Sequence, residues 1–341
     1  MAKFLSDNVT GACPEVLDAI LATNSGSVAS YGEDQGSLNL EKKLSDIFET
    51  EVLVFLAVTG TAANALALSA VTPSYGQIYC HKLSHINIDE CGAPEFFTGG
   101  AKLVGLDGNN GKITEASIAA AIYGSGVVHN AQPASVSITQ ATEAGTVYLL
   151  DEIKAISELA HTHELRVHMD GARFANALTA LNVSPAEMTW KSGVDLLSLG
   201  GTKNGCIAAE AIIFFDTKIA REFSFLHKRS GQLLSKMRFI SAQFEAYLSN
   251  DVWLHNARHA NAMATKLSKR LINISGIELT YPTESNEIFV FLPQSIIQGL
   301  EAEGIPLGIF ELNDSAIRFV TSWATTDKDI DELLSAIKRQ L

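Results

Sequence analysis

A lysine in a glycine-lined turn is the first feature of this sequence that could do chemistry. Lys203 lies in the stretch Gly-Gly-Thr-Lys-Asn-Gly at residues 200–205, directly after an apolar run that predicts a strand. A lysine at a strand end can reach into a cleft, and neighbouring glycines let a ligand approach the backbone closely. Its amine could then form a Schiff base with a carbonyl compound. Taken alone, the turn fits an ordinary surface lysine equally well.

A carboxylate upstream gives this lysine a chemical partner. Asp170 opens the run Asp-Gly-Ala-Arg at residues 170–173, again at the end of an apolar strand pattern. Pyridoxal 5′-phosphate works as an electron sink when a carboxylate beside its pyridine nitrogen keeps that nitrogen protonated. An aspartate and a lysine facing one cleft would suit this cofactor. The alternative for Asp170 is a cap on the following helix.

A third stretch could bind a phosphate group. The turn Thr-Gly-Thr-Ala-Ala-Asn at residues 59–64 joins a predicted strand to a predicted helix and contains Gly60 and Thr61. Unpaired N–H groups and the dipole at a helix N-terminus attract phosphate, and a threonine hydroxyl can add a hydrogen bond. The turn is neither a Walker A nor a G-x-G-x-x-G motif, and an ordinary helix cap remains an alternative.

The elements around these residues predict an α/β fold. Between about residues 51 and 215, short β-rich runs alternate with helical patterns, which is typical of a mainly parallel sheet covered by helices. Strand ends in such a sheet gather at one edge, where active sites form. Two long helical patterns at 235–248 and 251–273 then precede a strand–helix–strand–helix tail. We therefore expect a large domain, 1–250 with an N-terminal segment 1–36, and a smaller α+β domain, 251–341.

Composition narrows the class of protein. The chain has 341 residues, 47% of them hydrophobic, so it can bury a large core. Its 38 acidic and 25 basic residues give a formal net charge of −13, which disfavours nucleic acid and anionic membrane surfaces as partners. The sequence shows no secretion signal and no apolar stretch of about 18 residues that could span a bilayer. We expect a cytoplasmic protein whose four scattered cysteines are free thiols.

Taken together, these stretches resemble the L-threonine aldolase family, which belongs to the fold type I pyridoxal-phosphate enzymes of the β-eliminating lyase group. The matching stretches are residues 4–11, 31–34, 59–64, 84–92, 170–173 and Lys203. The resemblance covers nearly the whole chain. It implies a seven-stranded, mainly parallel sheet with helices on both faces, a smaller C-terminal α+β domain, and pyridoxal 5′-phosphate as the cofactor.

The resemblance also implies roles for individual residues. Lys203 would hold the cofactor as a Schiff base, Asp170 would pair with the pyridine nitrogen, and His85 would stack on the ring. The cofactor-binding set it implies is Gly60, Thr61, His85, Asp170, Arg173, Lys203 and Arg229. Arg229 lies beside Lys228, and a neighbouring subunit could contribute it. The substrate-binding set is Ser6, Tyr31, Arg173 and Arg318. Guanidinium groups suit a substrate carboxylate because they bind it in a bidentate manner.

Without the family, several of these residues have plainer interpretations. His85 would be a structural histidine at a strand end, Arg318 a surface charge on an edge strand, and Lys228 with Arg229 a solvated helix face. Two departures from the family pattern concern substrate preference. The lysine lies in Gly-Gly-Thr-Lys-Asn-Gly, whereas many family members have Ser-Lys-Gly-Leu around this lysine. Glu143 stands where many members carry a histidine near the substrate hydroxyl. Preference for threo, allo or bulky β-aryl substrates such as phenylserine is therefore open.

The implied activity is cleavage of the Cα–Cβ bond of β-hydroxy-α-amino acids, giving glycine and an aldehyde. The base near the β-hydroxyl would be His85 or a water that it positions. Lys203, His85 and Asp170 would be the catalytic residues, and a small amino acid the substrate. The resemblance implies a homodimer or homotetramer with shared sites, in which Tyr31 reaches a neighbour's cofactor.

Other functions remain possible on the same residues. β-Elimination or transamination would begin from the same cofactor, and a noncatalytic protein could keep the fold without the chemistry. No metal site is expected. His161, His163 and His168 lack a good ligand pattern, and the pair His255 and His259 lacks the glutamate of H-E-x-x-H.

Overall fold

A computed structural model describes residues 3–310 and 316–341 of the chain. Its strands are β1 (Leu53–Ala57), β2 (Gly76–His81), β3 (Lys102–Leu106), β4 (Gln132–Thr139), β5 (Arg166–Gly171), β6 (Leu196–Gly200), β7 (Glu210–Phe214), β8 (Glu278–Leu279), β9 (Glu287–Phe291), β10 (Gly308–Phe310) and β11 (Ala316–Val320). Its α-helices are α1 (Pro14–Thr23), α2 (Gln35–Ile47), α3 (Gly60–Val71), α4 (His85–Ile88), α5 (Ala93–Thr98), α6 (Glu115–Ala121), α7 (Leu150–Thr162), α8 (Phe174–Leu181), α9 (Pro185–Met188), α10 (Phe223–Arg229), α11 (Arg238–Leu248), α12 (Val252–Leu271), α13 (Gln294–Ala302) and α14 (Asp327–Lys338).

The larger sheet confirms the predicted fold class. In the described part of the chain it has seven strands in the order β1-β7-β6-β5-β4-β2-β3. Strand β7 runs antiparallel to both β1 and β6, and the pairs from β6 to β3 are parallel. The sheet is therefore mainly parallel.

Helices cover both faces of this sheet. Strands β6 and β7 are buried at every residue, as expected of central strands with near-continuous apolar sequences. Successive side chains point to opposite faces: Leu197 and Ile213 pack with helices such as α7 and α11, whereas Leu196 and Ile212 pack with α3 and α10.

The strand ends that carry the predicted site residues lie at one edge of the sheet. Asp170 of β5 is paired with Ser198 of β6, and Gly200 at the end of β6 is paired with Glu210. Ala57 at the end of β1 also pairs with Glu210. The loops after β1, β5 and β6 therefore start side by side.

A smaller antiparallel sheet, in the order β10-β11-β9-β8, lies near the C-terminus. The short strands β8 and β10 add to the two strands that the sequence predicted for this tail. Helix α12 contributes Trp253 to the core of the large sheet and Leu267 to the core of the small sheet. It thus joins the two cores, and the predicted boundary at residue 250 remains a prediction.

Among the residues that the structure describes, no helix combines the length and apolar character needed to cross a membrane.

Candidate active site

A cavity of about 280 Å³ opens at the sheet edge where these strands end. Lys203, Asp170, His85, Gly60 and Thr61 all line it, so the structure brings together five residues that the sequence predicted. Further lining residues that no prediction assigned a role in binding or catalysis are Asn64, Glu90, Glu143, Thr202 and Glu210.

Lys203 is presented by a short 3-10 turn, Thr202–Asn204, directly after β6. The next residue anchors the turn, because Asn204 Nδ2 donates to Tyr247 Oη at 2.8 Å and to the Trp253 carbonyl at 2.9 Å. The lysine is half-buried. Within the described ranges, its amine forms no hydrogen bond and no ion pair. It is thus held by a rigid turn but is available to a ligand.

Asp170 is a buried carboxylate with both oxygens engaged. Its Oδ1 accepts the Ala172 N–H at 3.0 Å, and its Oδ2 accepts Asn64 Nδ2–H at 2.9 Å. These two bonds fix the orientation of the carboxylate at the cavity wall. A carboxylate held in this way can pair with a ring nitrogen and keep it protonated.

The third predicted component is the N-terminus of α3, a helix of 12 residues. Thr59 caps it, with Oγ1 accepting the Ala62 N–H at 3.1 Å. A Cβ added at Gly60 would meet no protein atom within 4 Å, so the space in front of this helix end is open to a ligand. The positive end of the dipole and the free N–H groups make this wall of the cavity suitable for a phosphate.

His85 lies at the start of α4 and bonds a buried acid. Its Nδ1 is 2.9 Å from Glu90 Oε1, and this hydrogen bond, helped by the charges of Glu143 and Asp170, raises the pKa of His85 although burial opposes the shift. The histidine is therefore more basic than an isolated imidazole.

The two arginines predicted to bind substrate are joined by protein carboxylates. Arg173 donates from Nε and Nη2 to Asp7, at 2.9 and 3.1 Å, and its Nη1 is 3.2 Å from Glu287. Arg318 Nη1 is 3.6 Å from the same glutamate. Burial would raise the pKa of Asp7, but Arg173 and Lys203 outweigh it and lower that pKa, whereas burial raises the pKa of Glu287.

The two arginines differ in how exposed their side chains are. The side chain of Arg173 is 5% exposed, and that of Arg318 is 27% exposed. Neither is among the residues that line the cavity of Lys203. Ser6 belongs to the same cluster, since its Oγ donates to Asp7 Oδ1 at 3.4 Å and accepts the Asn8 N–H at 3.1 Å. Asn8 itself lines the cavity, which places the cluster beside it.

Tyr31 and Arg229 lie apart from this cavity in the single chain. Tyr31 lines a separate cavity, and Lys228 Nζ is 4.5 Å from the centre of its ring. Arg229 is exposed at the end of α10. Their predicted role at a neighbouring subunit's site remains a prediction.

Glu210 is a site residue that the sequence reading missed. It is buried at the start of β7, and burial raises its pKa to about 7 although hydrogen bonds from Thr202 and the charge of Lys203 oppose this. A single acid inside the apolar run Ala-Ala-Glu-Ala-Ile-Ile was the available signal. Asn64 and Glu90 were visible within matched stretches, but nothing in the sequence showed that they face Asp170 and His85.

Two of the histidines considered for a metal site, His168 and His161, have other partners. His168 is buried between Ser137 Oγ and Ser198 Oγ, each 2.9 Å away, and His161 Nε2 is 3.0 Å from Asp195. Over residues 3–310 and 316–341, no group of three or more His, Cys, Asp or Glu side chains is arranged to hold a metal ion.

Comparison with known proteins identifies the family. The model of the beta-eliminating lyase family matches residues 3–295. Low specificity L-threonine aldolases from Pseudomonas sp. and from Pseudomonas aeruginosa are each 43% identical over 98% of this chain and 97% of their own length. A solved structure of threonine aldolase from Leishmania major superposes with a TM-score of 0.91 at 29% identity, covering 98% of both chains. The resemblance found in the sequence is thereby confirmed, and the chain belongs to the beta-eliminating lyase family, among the low-specificity L-threonine aldolases.

Proposed function

We propose that this chain is a pyridoxal 5′-phosphate-dependent aldolase that cleaves L-threonine, L-allo-threonine and related β-hydroxy-α-amino acids to glycine and an aldehyde. The observation that carries the proposal is the placement of Lys203 and Asp170 on one cavity, in a chain that is 43% identical to low specificity L-threonine aldolases. A lysine with no ion-pair partner in the described part of the chain and a fixed, buried carboxylate are the two groups that this cofactor requires.

The cavity fits the cofactor at three points. Lys203 would hold its aldehyde carbon, Asp170 its pyridine nitrogen, and the N-terminus of α3 at Gly60 and Thr61 its phosphate. The open space in front of Gly60 supports this assignment, as does the amine of Lys203, which has no partner among residues 3–310 and 316–341. When bound, the cofactor supplies an electron sink for the bond that breaks at Cα.

The surrounding residues orient the substrate. Arg318, more exposed than Arg173, would bind the substrate carboxylate, with Arg173 and Ser6 behind it. Orientation of the carboxylate fixes which bond at Cα faces the sink, so these residues select the bond that breaks. His85, made more basic by Glu90, would accept the β-hydroxyl proton, directly or through a water.

A second substrate class fits Glu143 equally well. This acid lines the cavity together with His85, where many family members carry a histidine near the substrate hydroxyl. A preference for phenylserine-like substrates is the alternative within the same activity. β-Elimination or transamination on the same cofactor is the alternative reaction.

The test is a product assay with L-threonine, L-allo-threonine and L-phenylserine, in which glycine, aldehyde and keto acid are all measured. Equal amounts of glycine and aldehyde are expected, and the relative rates rank the three substrates. Keto acid without glycine would move the function to elimination or transamination. A protein that binds the cofactor but forms no product would support a noncatalytic role.

The assembly is also a proposal. Tyr31 and Arg229 lie away from the cavity of their own chain, which supports a homodimer or homotetramer in which they complete the site of a neighbouring subunit.

A further inference from the structure

Glu90 is a buried acid to which the proposed function gives no step of its own. It follows α4, its side chain has 0% exposure, and it lines the cavity. Its Oε1 is 2.9 Å from His85 Nδ1 and 2.9 Å from Asn64 Nδ2. Its Oε2 is buried and has no hydrogen-bond partner in the described part of the chain.

The pattern of donors around Glu90 decides where the proton on His85 lies. Asn64 Nδ2 carries two hydrogens, and it is 2.9 Å from both Glu90 Oε1 and Asp170 Oδ2, so it donates one to each carboxyl group. Oε1 is therefore an acceptor, and a carboxyl proton on Glu90 would lie on Oε2, which has no hydrogen-bond partner among the described residues. Because Oε1 accepts, the His85 ring must carry its hydrogen on Nδ1.

This assignment leaves the other ring nitrogen free. His85 lines the cavity, and no residue between 3 and 310 or between 316 and 341 forms a hydrogen bond with its Nε2. In the neutral ring, Nε2 then holds a lone pair that can accept a proton.

We propose that Glu90 is a positioning residue that holds His85 as the Nδ1–H tautomer, with Nε2 directed to the cavity as the proton acceptor, and that Asn64 ties this pair to Asp170. The destination of the proton, the substrate β-hydroxyl, rests on the proposed function. The tautomer rests only on the contacts above.

The charges around His85 agree with this role. The acids that face it are Glu90, Glu143 and Asp170, and the hydrogen bond that His85 donates to Glu90 contributes most to raising the pKa of His85. Burial raises the pKa of Glu90, and its bonds with His85 and Asn64 oppose that shift. Asn64 Oδ1 is buried and has no partner within the described ranges, so the Asn64 amide is oriented by the hydrogen bonds that it donates to the two acids.

The experiment compares Glu90→Gln with Asp89→Asn, which removes an exposed acid one residue away. Nitrogen NMR of the full chain labelled on histidine, with and without pyridoxal 5′-phosphate, reports the tautomer and pKa of His85, and His85→Asn identifies its signal. Wild type should show the Nδ1–H form. Glu90→Gln should lower the pKa of His85 by about one unit or more because a neighbouring charge is lost, and Asp89→Asn should leave it unchanged.

The acid limb of the pH profile of kcat/KM gives a second readout. In Glu90→Gln it should move to lower pH by the same amount, because His85 stays neutral there, and loss of structure alone would not produce such a shift. If the glutamine variant does not fold, Glu90→Asp, which keeps the charge, replaces it in the comparison. This variant should leave the pKa of His85 above that of an isolated imidazole.

An Nε2–H tautomer in wild type would overturn the proposal, as would an unchanged pKa of His85 in Glu90→Gln. If the NMR results are as expected but no substrate is cleaved, the proposed function fails and the role of Glu90 in fixing the tautomer stands.

Discussion

Asp170 is the residue on which the proposed electron sink depends. Its carboxylate accepts hydrogen bonds from Ala172 and Asn64 and lies on the cavity wall. Asp170→Asn should lower kcat/KM for L-threonine by about 100-fold or more, because a neutral amide cannot keep a pyridine nitrogen protonated. The control is Asp151→Asn, at an exposed residue, which should retain wild-type kinetics. Equal activity of Asp170→Asn and wild type would contradict the assignment.

The two arginines proposed to bind substrate should differ in what their loss does. Arg173→Ala would leave the buried acids Asp7 and Glu287 without their shared cation, so urea unfolding should show a loss of about 3–5 kcal/mol. Arg318→Ala removes a partly exposed charge and should cost less than about 1 kcal/mol. Kinetics of Arg318→Ala should instead show a KM raised about tenfold or more. A stable Arg173→Ala protein with a normal unfolding curve would show that the cluster is not the buried network described above.

At the residue scale, the sequence predicted the groups that lie in recognisable local motifs. Lys203 and Asp170 each lie at the end of a predicted strand, His85 lies in a stretch that matches the family, and all three line the cavity. The pairing of Arg173 with Asp7 joins residues 166 positions apart, and that with Glu287 joins the large sheet to the small one. The spacing of residues in the sequence cannot predict such contacts, because they depend on how the two sheets pack.

At the scale of elements, helix α3 contributes to stability and, under the proposed function, to cofactor binding. Thr59 caps this helix at the cavity, and Thr114 caps α6 with the same kind of bond, 3.1 Å from Oγ1 to a backbone N–H. Thr59→Ala and Thr114→Ala should each cost about 1 kcal/mol in urea unfolding. Only Thr59→Ala should also weaken binding of pyridoxal 5′-phosphate, measured by titration. An equal loss of affinity in Thr114→Ala would refute a specific role for the start of α3.

The central strands carry a pH-sensitive histidine. His168 of β5 bridges Ser137 of β4 and Ser198 of β6, and burial lowers its pKa to about 4. The unfolded chain binds a proton at this residue near pH 6.5, whereas the folded chain excludes it, so stability should fall as pH drops from about 6.5 to about 4.

The contribution of His168 over that window is about 3 kcal/mol. Urea unfolding of His168→Gln should therefore lose less stability on acidification than wild type, while His129→Gln, at an exposed residue, should behave as wild type. Parallel pH curves for all three proteins would contradict the assignment.

Most large elements were predictable from apolar patterns, but β2 was not. Its sequence Gly-Gln-Ile-Tyr-Cys-His includes polar residues, yet all six positions are buried. Gln77 is tolerated there because its Oε1 accepts the Tyr79 hydroxyl at 2.7 Å. A pattern that counts polar residues as exposed therefore misses a strand whose polar groups are paired internally.

At the scale of the whole molecule, the N-terminal segment and α12 join the two sheets. Phe4 packs in the core of the small sheet, and its carbonyl accepts the Val320 N–H at 2.9 Å. Three residues later, Asp7 bonds Arg173 on the large domain. The segment therefore crosses between the sheets beside the cavity, so the active site depends on both.

The proposed sharing of sites between subunits can be tested by complementation. Lys203→Ala and Arg229→Ala should each be inactive or nearly so. When the two variants are unfolded together and refolded as a mixture, hybrid dimers would have one site with both residues intact, and about a quarter of wild-type activity should return. If the mixture stays as inactive as its components, Arg229 does not complete a neighbouring site.

The most direct test of the central claim is peptide mass spectrometry of the protein purified with pyridoxal 5′-phosphate and reduced with borohydride. The account predicts one pyridoxyl-phosphate group per chain, attached to the peptide that contains Lys203, and none in Lys203→Ala. A label on a different lysine, or an unlabelled protein, would contradict it.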